Sequence, residues 1–162
     1  MFQSTLTSYN DSWRGLGLTD LGSAPSSPQY AGAVVVDSQN NILCQLRDNK
    51  PEIQFPRFWT CSPGGHIESG ENPNEAIIRE LREEFEIEVE NLKKLTVIHE
   101  TKKETQGTYH AFTADLASPL DHLKCNEGQK ACFYSPEEVL KLRLHPVSLK
   151  IFKEYLSLER TL

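Results

Sequence analysis

No apolar run in the 162-residue sequence approaches the roughly 20 residues that cross a bilayer, so no membrane segment is expected. The opening stretch, "MFQSTLTSYN", lacks a basic segment followed by an apolar core and therefore does not read as a secretory leader. There is no C-x-x-C pair; the four cysteines, Cys44, Cys61, Cys125 and Cys132, are scattered. That spacing disfavours a zinc site, and reduced thiols in a cytoplasmic protein are the simpler reading. Nor is there an excess of basic residues: 17 Lys and Arg stand against 23 Asp and Glu, for a net charge of -6. Nucleic acid, which calls for a cationic surface, is therefore not an expected partner. A small anionic substrate is not excluded, because a bound cation inverts the local field.

What is present describes a soluble chain of one domain, with 38% hydrophobic and 25% charged residues. Residues 1–29 are rich in Ser, Thr, Gly and Pro and read as an N-terminal arm. The arm's Trp13, Leu16, Leu18 and Leu21 can pack on the main body or on a partner subunit, which makes a homodimer an expectation. The domain proper is expected over 30–162. "AGAVVVD" (31–37) reads as a strand, "SQNN" as a turn, and "ILCQLRD" (42–48) as the returning strand of a hairpin. "WTCSPGGHIESGE" holds a short extended piece around a Pro-Gly-Gly turn. "LKKLTVIHET" (92–101), "TYHAFTADL" (108–116) and "EGQKACFYS" (127–135) are further strand candidates. "SPEEVLKL" begins with a helix-start signal, and "VSLKIFKEYLSLE" (147–159) has helical spacing. Strands interrupted by helices at separate points predict an α/β sandwich.

A central helix is the best-signalled element. Asn72 can cap it, Pro73 suits its first position, and Glu75 completes a capping box. Ile77, Leu81 and Phe85 recur at i, i+4 and i+8 beside Ile78, and should form its buried stripe. Glu80, Glu83 and Glu84 fall on a neighbouring arc, along the edge of the core, and Arg79 and Arg82 lie further round. A glutamate-rich face on such a helix is ordinarily solvated. Two features favour a second reading. Glu80 and Glu84 are like charges at i, i+4, which repel. Gly64 and Gly65 bring backbone close to the same face. Carboxylates with a backbone carbonyl make a hard-oxygen site suited to Mg²⁺ or Mn²⁺.

The segment "GGHIESGENPNEAIIRELREEFEIEV" (64–89) resembles the Nudix box, G-x5-E-x7-R-E-U-x-E-E-x-G-U with U a bulky aliphatic residue. Gly65, Glu71, Arg79, Glu80, Leu81, Glu83, Glu84 and Ile87 match, eight of the nine fixed positions. The resemblance implies a Nudix-type α/β/α sandwich with a mixed sheet and a loop–helix–loop motif, over roughly residues 30–160. It implies hydrolysis of a nucleoside diphosphate linked to another group, with water attacking phosphorus. It makes Glu80, Glu83, Glu84 and the carbonyl of Gly64 the ligands of Mg²⁺ or Mn²⁺, with Arg79 orienting a ligand carboxylate and Glu71 as its partner. The general base is then a box glutamate, Glu83 or Glu84, or Glu127 from a later loop, with Glu100 and Glu104 as competitors.

Substrate contacts expected on this basis are Arg47 to a phosphate, Gly65, and a base stacked on Trp59, Phe58, Tyr109 or Phe133. Nucleoside triphosphates, oxidised ones included, nucleotide sugars, ADP-ribose and dinucleotides all stay open as the small-molecule partner. Two other readings compete: a nucleotide-binding module without turnover, which the loss of a box glutamate would favour although none is lost, and an isopentenyl diphosphate isomerase-like reaction, whose additional catalytic pattern is not seen.

Two departures carry structural expectations. Glu86 stands where the box has glycine. A left-handed conformation costs a non-glycine residue roughly 1–2 kcal/mol, so the helix is expected to run on or to end differently. "WTCSPGG" has one residue more than the W-x-x-P-G-G of many members, which predicts a bulge in the strand entering the box.

Overall fold

The computed structural model describes residues 26–160. Trp13, Leu16, Leu18 and Leu21 of the expected arm lie outside the described residues. The strands are β1 (Gln29–Val36), β2 (Ile42–Leu46), β3 (Trp59–Thr60), β4 (Gly64–His66), β5 (Val89–Glu100), β6 (Gly107–Leu116) and β7 (Lys130–Tyr134). The helices are α1 (Pro73–Phe85), the four-residue α2 (Pro136–Val139) and α3 (Pro146–Glu159). Gln29, assigned to the arm by its composition, already pairs within the sheet opposite Thr108.

The sheet is mixed. β1 runs parallel to β6, while every other pairing between the named strands is antiparallel. Side chains of a strand point alternately to its two faces, and β1 uses both. Ala31, Ala33 and Val35 pack under α1 with Ile77, Leu81 and Phe85. Val34 packs on the other face with Val147, Ile151 and Phe152 of α3. The run "AVVV" is apolar throughout because helices cover both sides, which is the expected α/β/α sandwich.

The β1–β2 hairpin exists but is short, sharing the single register pair Val36↔Ile42. Beyond it the two strands part. β1 takes β4 as its neighbour, with Tyr30↔His66, Ala31↔Gly65 and Gly32↔Gly64. β2 takes β3, with Gln45↔Thr60 and Leu46↔Trp59, and pairs with β7 along its whole length. The segment entering the box therefore does not form one bulged strand. It splits into β3 and β4 on different partners, and Cys61–Pro63 cross between them, with the Ala33 N–H donating to the Pro63 carbonyl at 3.1 Å. Cys61 is buried in the crossing, and its N–H donates to Ser148 Oγ at 2.9 Å. The parting of β1 from β2 opens a cleft at the edge of α1.

Candidate active site

α1 starts as its sequence predicts. Asn72 Oδ1 accepts from the Glu75 N–H and Glu75 Oε2 accepts from the Asn72 N–H, both at 3.0 Å. Ile77, Leu81 and Phe85 are buried and Ile78 is half-buried. The end of the helix overturns one expectation. Helix stops at Phe85, and Glu86 keeps the left-handed conformation, φ 55° and ψ 36°. Its N–H closes the helix on the Arg82 carbonyl at 3.0 Å. Its carboxylate accepts from Lys124 Nζ at 2.6 Å and from Asn126 Nδ2 at 3.4 Å. These contacts from a distant loop offset the local strain.

Arg79 gathers the first acidic group. It donates to both oxygens of Glu71 at 2.8 and 3.0 Å, to Glu80 at 2.7 Å, to Glu83 at 3.2 Å and to the His66 carbonyl at 3.0 Å. A planar guanidinium suits this bidentate grip. The Arg79 hydrogen bond, followed by the backbone N–H of Glu68, pulls the Glu71 carboxyl down to about 2. Glu83 departs from the arc expected of it: its side chain is 60% exposed and turned to Arg79 rather than held at the core edge.

Gly64 is sterically required by backbone, while Gly65 leaves space that the Glu80 carboxylate fills. A Cβ on Gly65 would lie 2.6 Å from the Glu80 carboxylate, and one on Gly64, at φ +154°, would lie 2.0 Å from the Ala31 carbonyl.

Glu84 is the unusual group, 5% exposed on a helix face read as charged. Gln45 Nε2 donates to its Oε2 at 3.1 Å and to the Glu127 carbonyl at 2.9 Å. Burial, then the charges of Glu127 and Glu80, push the Glu84 carboxyl up to about 8. Burial also raises Glu80, outweighing the Arg79 contact.

These groups line a cleft of about 810 Å³. Six carboxylates line it, Glu52, Glu68, Glu80, Glu84, Glu104 and Glu127, against two basic side chains, Arg47 and Lys103. An anionic ligand entering such a field needs added positive charge. Arg47 is partly committed, since it donates to the carbonyls of Gln54 at 2.8 Å and Phe55 at 3.3 Å and so anchors the loop over 48–58.

The stacking candidates separate cleanly. Trp59 does not line the cleft: its ring meets Tyr134 edge-on at 5.5 Å with Lys130 Nζ 5.2 Å from its centroid. Phe58 packs under the Arg143 guanidinium at 4.1 Å, and Phe133 joins the core on the α1 face. Tyr109 does line the cleft, stacked at 4.6 Å on Tyr30, which sequence reasoning missed. Glu100 is removed as a base candidate, because it is buried in an ion pair with Lys150 and accepts from Thr105 Oγ1. Glu104 and Glu127 remain exposed at the cleft. Gln45 was also missed, although a glutamine within "ILCQL", a strand otherwise apolar, signals a buried polar contact.

The donor chemistry fits a hard divalent cation. Glu80 and Glu84 line the cleft beside Gly64, all offering oxygen, and burial, with the neighbouring carboxylates adding to it, raises both acids. Among the described residues no three His, Cys, Asp or Glu side chains converge on one point. Arg79 holds Glu80 and Glu83 instead, and Gln45 holds Glu84.

The NUDIX domain family model matches residues 27–155. The chain is 38% identical over 71 residues to the 8-oxo-dGTP diphosphatase of Proteus vulgaris, covering 43% of this chain and 61% of that protein. It thus spans less than two thirds of that relative's length. It is 29% identical over 127 residues to the CTP pyrophosphohydrolase of Escherichia coli strain K12, covering 78% and 90%. The NUDIX domain of Shewanella oneidensis NrtR, solved in complex with ADP-ribose, shares the fold with a TM-score of 0.71 and 17% identity, over 93% of this chain and 99% of that one.

Proposed function

The chain belongs to the NUDIX domain family, and from that premise we propose that it hydrolyses a diphosphate bond in a nucleoside diphosphate derivative by attack of water at phosphorus. The observation that carries this reading is the acidity of the cleft, six carboxyl groups against two basic side chains, with Glu84 buried among them. Such a site repels a bare diphosphate and fits one delivered with cations.

Glu80, Glu83, Glu84 and the Gly64 carbonyl would hold Mg²⁺ or Mn²⁺. When bound, such an ion neutralises phosphate charge and acidifies water. The rest falls to the chain's own groups. Arg79 fixes the directions of Glu80 and Glu83 from one side, and Glu71 fixes Arg79 from the other. Gly65 leaves the Glu80 carboxylate room against the backbone. Glu127, exposed at the cleft and close enough to Glu84 to raise its pKa, takes the proton from the attacking water on its carboxylate oxygen. Tyr109 and Tyr30 offer an apolar wall to a base, and Arg47 reaches toward phosphate.

The relatives named for 8-oxo-dGTP and CTP put nucleoside triphosphates first in the panel that tests this reading. Triphosphates, nucleotide sugars, ADP-ribose and dinucleotides are incubated with Mg²⁺ and the products read by phosphorus NMR. Release of a nucleoside monophosphate from one substrate supports it. Tight nucleotide binding with no turnover across the panel establishes the binding module in its place.

A further inference from the structure

We propose that Asn126 is a positioning residue for this reaction: it clips the loop that carries Glu127 onto the C-terminal turn of α1. The inference rests on the hydrolase reading above and on contacts that reading does not use. Residues 117–129, between β6 and β7, form a long connection without helix or strand. Connections of that length are usually functional or mobile unless something pins them. The end of a helix offers the pins, because its last carbonyls lack partners within the helix.

Asn126 supplies donors to two of them. Its backbone N–H donates to the Glu84 carbonyl at 2.7 Å, and its Nδ2 donates to the Glu83 carbonyl at 2.9 Å. The same amide reaches the Glu86 carboxylate at 3.4 Å. A side-chain amide has two N–H donors, so a single Asn126 can serve both Glu83 and Glu86. Glu127 is gripped from its other side as well, where its carbonyl accepts from Gln45 Nε2 at 2.9 Å, and Gln45 in turn holds Glu84. The two clips fix the backbone of residues 126 and 127 against the helix turn that bears Glu83 and Glu84. Glu127 therefore reaches the cleft from a defined place although its loop has no regular structure. Lys124, paired with Glu86, adds a third, solvent-exposed hold, so the residue that replaces the box glycine also tethers this loop.

A double-mutant cycle tests the assignment on the best substrate of the panel. Asn126→Ala should lower kcat about 10-fold or more, with KM within about 3-fold, because geometry rather than binding is lost. In a Glu127→Gln background the same change should add less than about 2-fold, because the partner it positions is already gone. Asn126→Asp keeps the shape and the backbone N–H, loses the side-chain N–H donors to Glu83 and Glu86, and gives the same answer if the alanine variant folds poorly. Hydrogen exchange provides a readout independent of turnover: amides of residues 124–129 should exchange faster in both variants while those of α1 stay protected. Unchanged kcat in a folded variant, independent multiplication of the two effects, or unchanged loop exchange overturns the proposal. Full kcat in Glu127→Gln overturns it while leaving the hydrolase reading intact; absence of turnover in the wild type removes both.

Discussion

Gln45 donates from Nε2 to Glu84 Oε2 at 3.1 Å across the boundary between sheet and helix, with both side chains buried. This hydrogen bond opposes the burial and the neighbouring charges of Glu127 and Glu80, which together hold the Glu84 carboxyl at about 8. Glu84 therefore binds its proton more tightly folded than unfolded. The stability this contributes is complete below the ordinary value of 4.5 and is lost as pH rises through about 8. Melting temperature, measured in chelator from acid to mild base, should fall across that window. Glu84→Gln should flatten the fall. Glu71, held at about 2, works in the opposite direction: its contribution is complete above 4.5 and is lost as pH falls through about 2, so the two windows do not overlap.

The same substitution should separate stability from catalysis. Glu84→Gln should leave the metal-free protein as stable or more so, and lower turnover by about 100-fold or more, since it removes a proposed ligand. Near-normal kcat would make Glu84 a buried structural acid and nothing else.

Turnover should vanish in excess chelator and return with Mg²⁺ or Mn²⁺, because the expected ligands are all hard oxygens. Adding either ion to the chelator-treated protein near pH 7 should also raise its melting temperature, by linkage of binding to folding. Undiminished turnover in chelator would sink the cation site.

Arg79→Lys keeps the charge and loses the planar fork that meets Glu71, Glu80 and Glu83 at once. We expect turnover to fall about 10- to 100-fold in a folded protein. Glu71→Gln should produce a smaller loss of the same kind, and the double variant should be no worse than Arg79→Lys alone. Effects that multiply would show that the pair does not act as a unit.

Glu86→Gly and Glu86→Ala both delete the contact with Lys124, but glycine alone relieves the left-handed backbone. Melting temperature should be at or above wild type for glycine and below it for alanine. Turnover should stay within a few-fold in the glycine variant, because Asn126 retains both of its bonds to the helix carbonyls. Equal destabilisation by the two changes would show that the backbone at this position is unstrained.

Local pattern made much of this molecule legible. Asn72, Pro73 and Glu75 announce where α1 begins, and the spacing of Ile77, Leu81 and Phe85 shows which face it buries, because both depend on neighbours within a few residues. The Glu71–Arg79 partnership follows from the box. What escaped was set by distant contacts. The strand of Tyr30 meets that of Tyr109 in parallel register, and no local signal reports a partner so far along the chain. Trp59 turns to Tyr134 because β3 pairs with β2, whereas the expectation for it assumed a single strand leading into the box. For Glu86, backbone propensity favoured a different helix end, and a lysine and an asparagine from a remote loop reversed that preference.

The parting of β1 and β2 leaves the cleft lined in part by backbone, from Ala31 and Gly32 across to Pro63 and Gly64. Little side chain stands there to be exchanged, and a Cβ on Gly64 would meet the Ala31 carbonyl, so this stretch gives inherited variation little to act on. Other lining residues are another matter: Tyr30 and Lys103 have no part in the proposed bond cleavage and can be exchanged one at a time. A gene duplicated from this one would be expected to diverge in what it accepts long before it diverges in how it reacts.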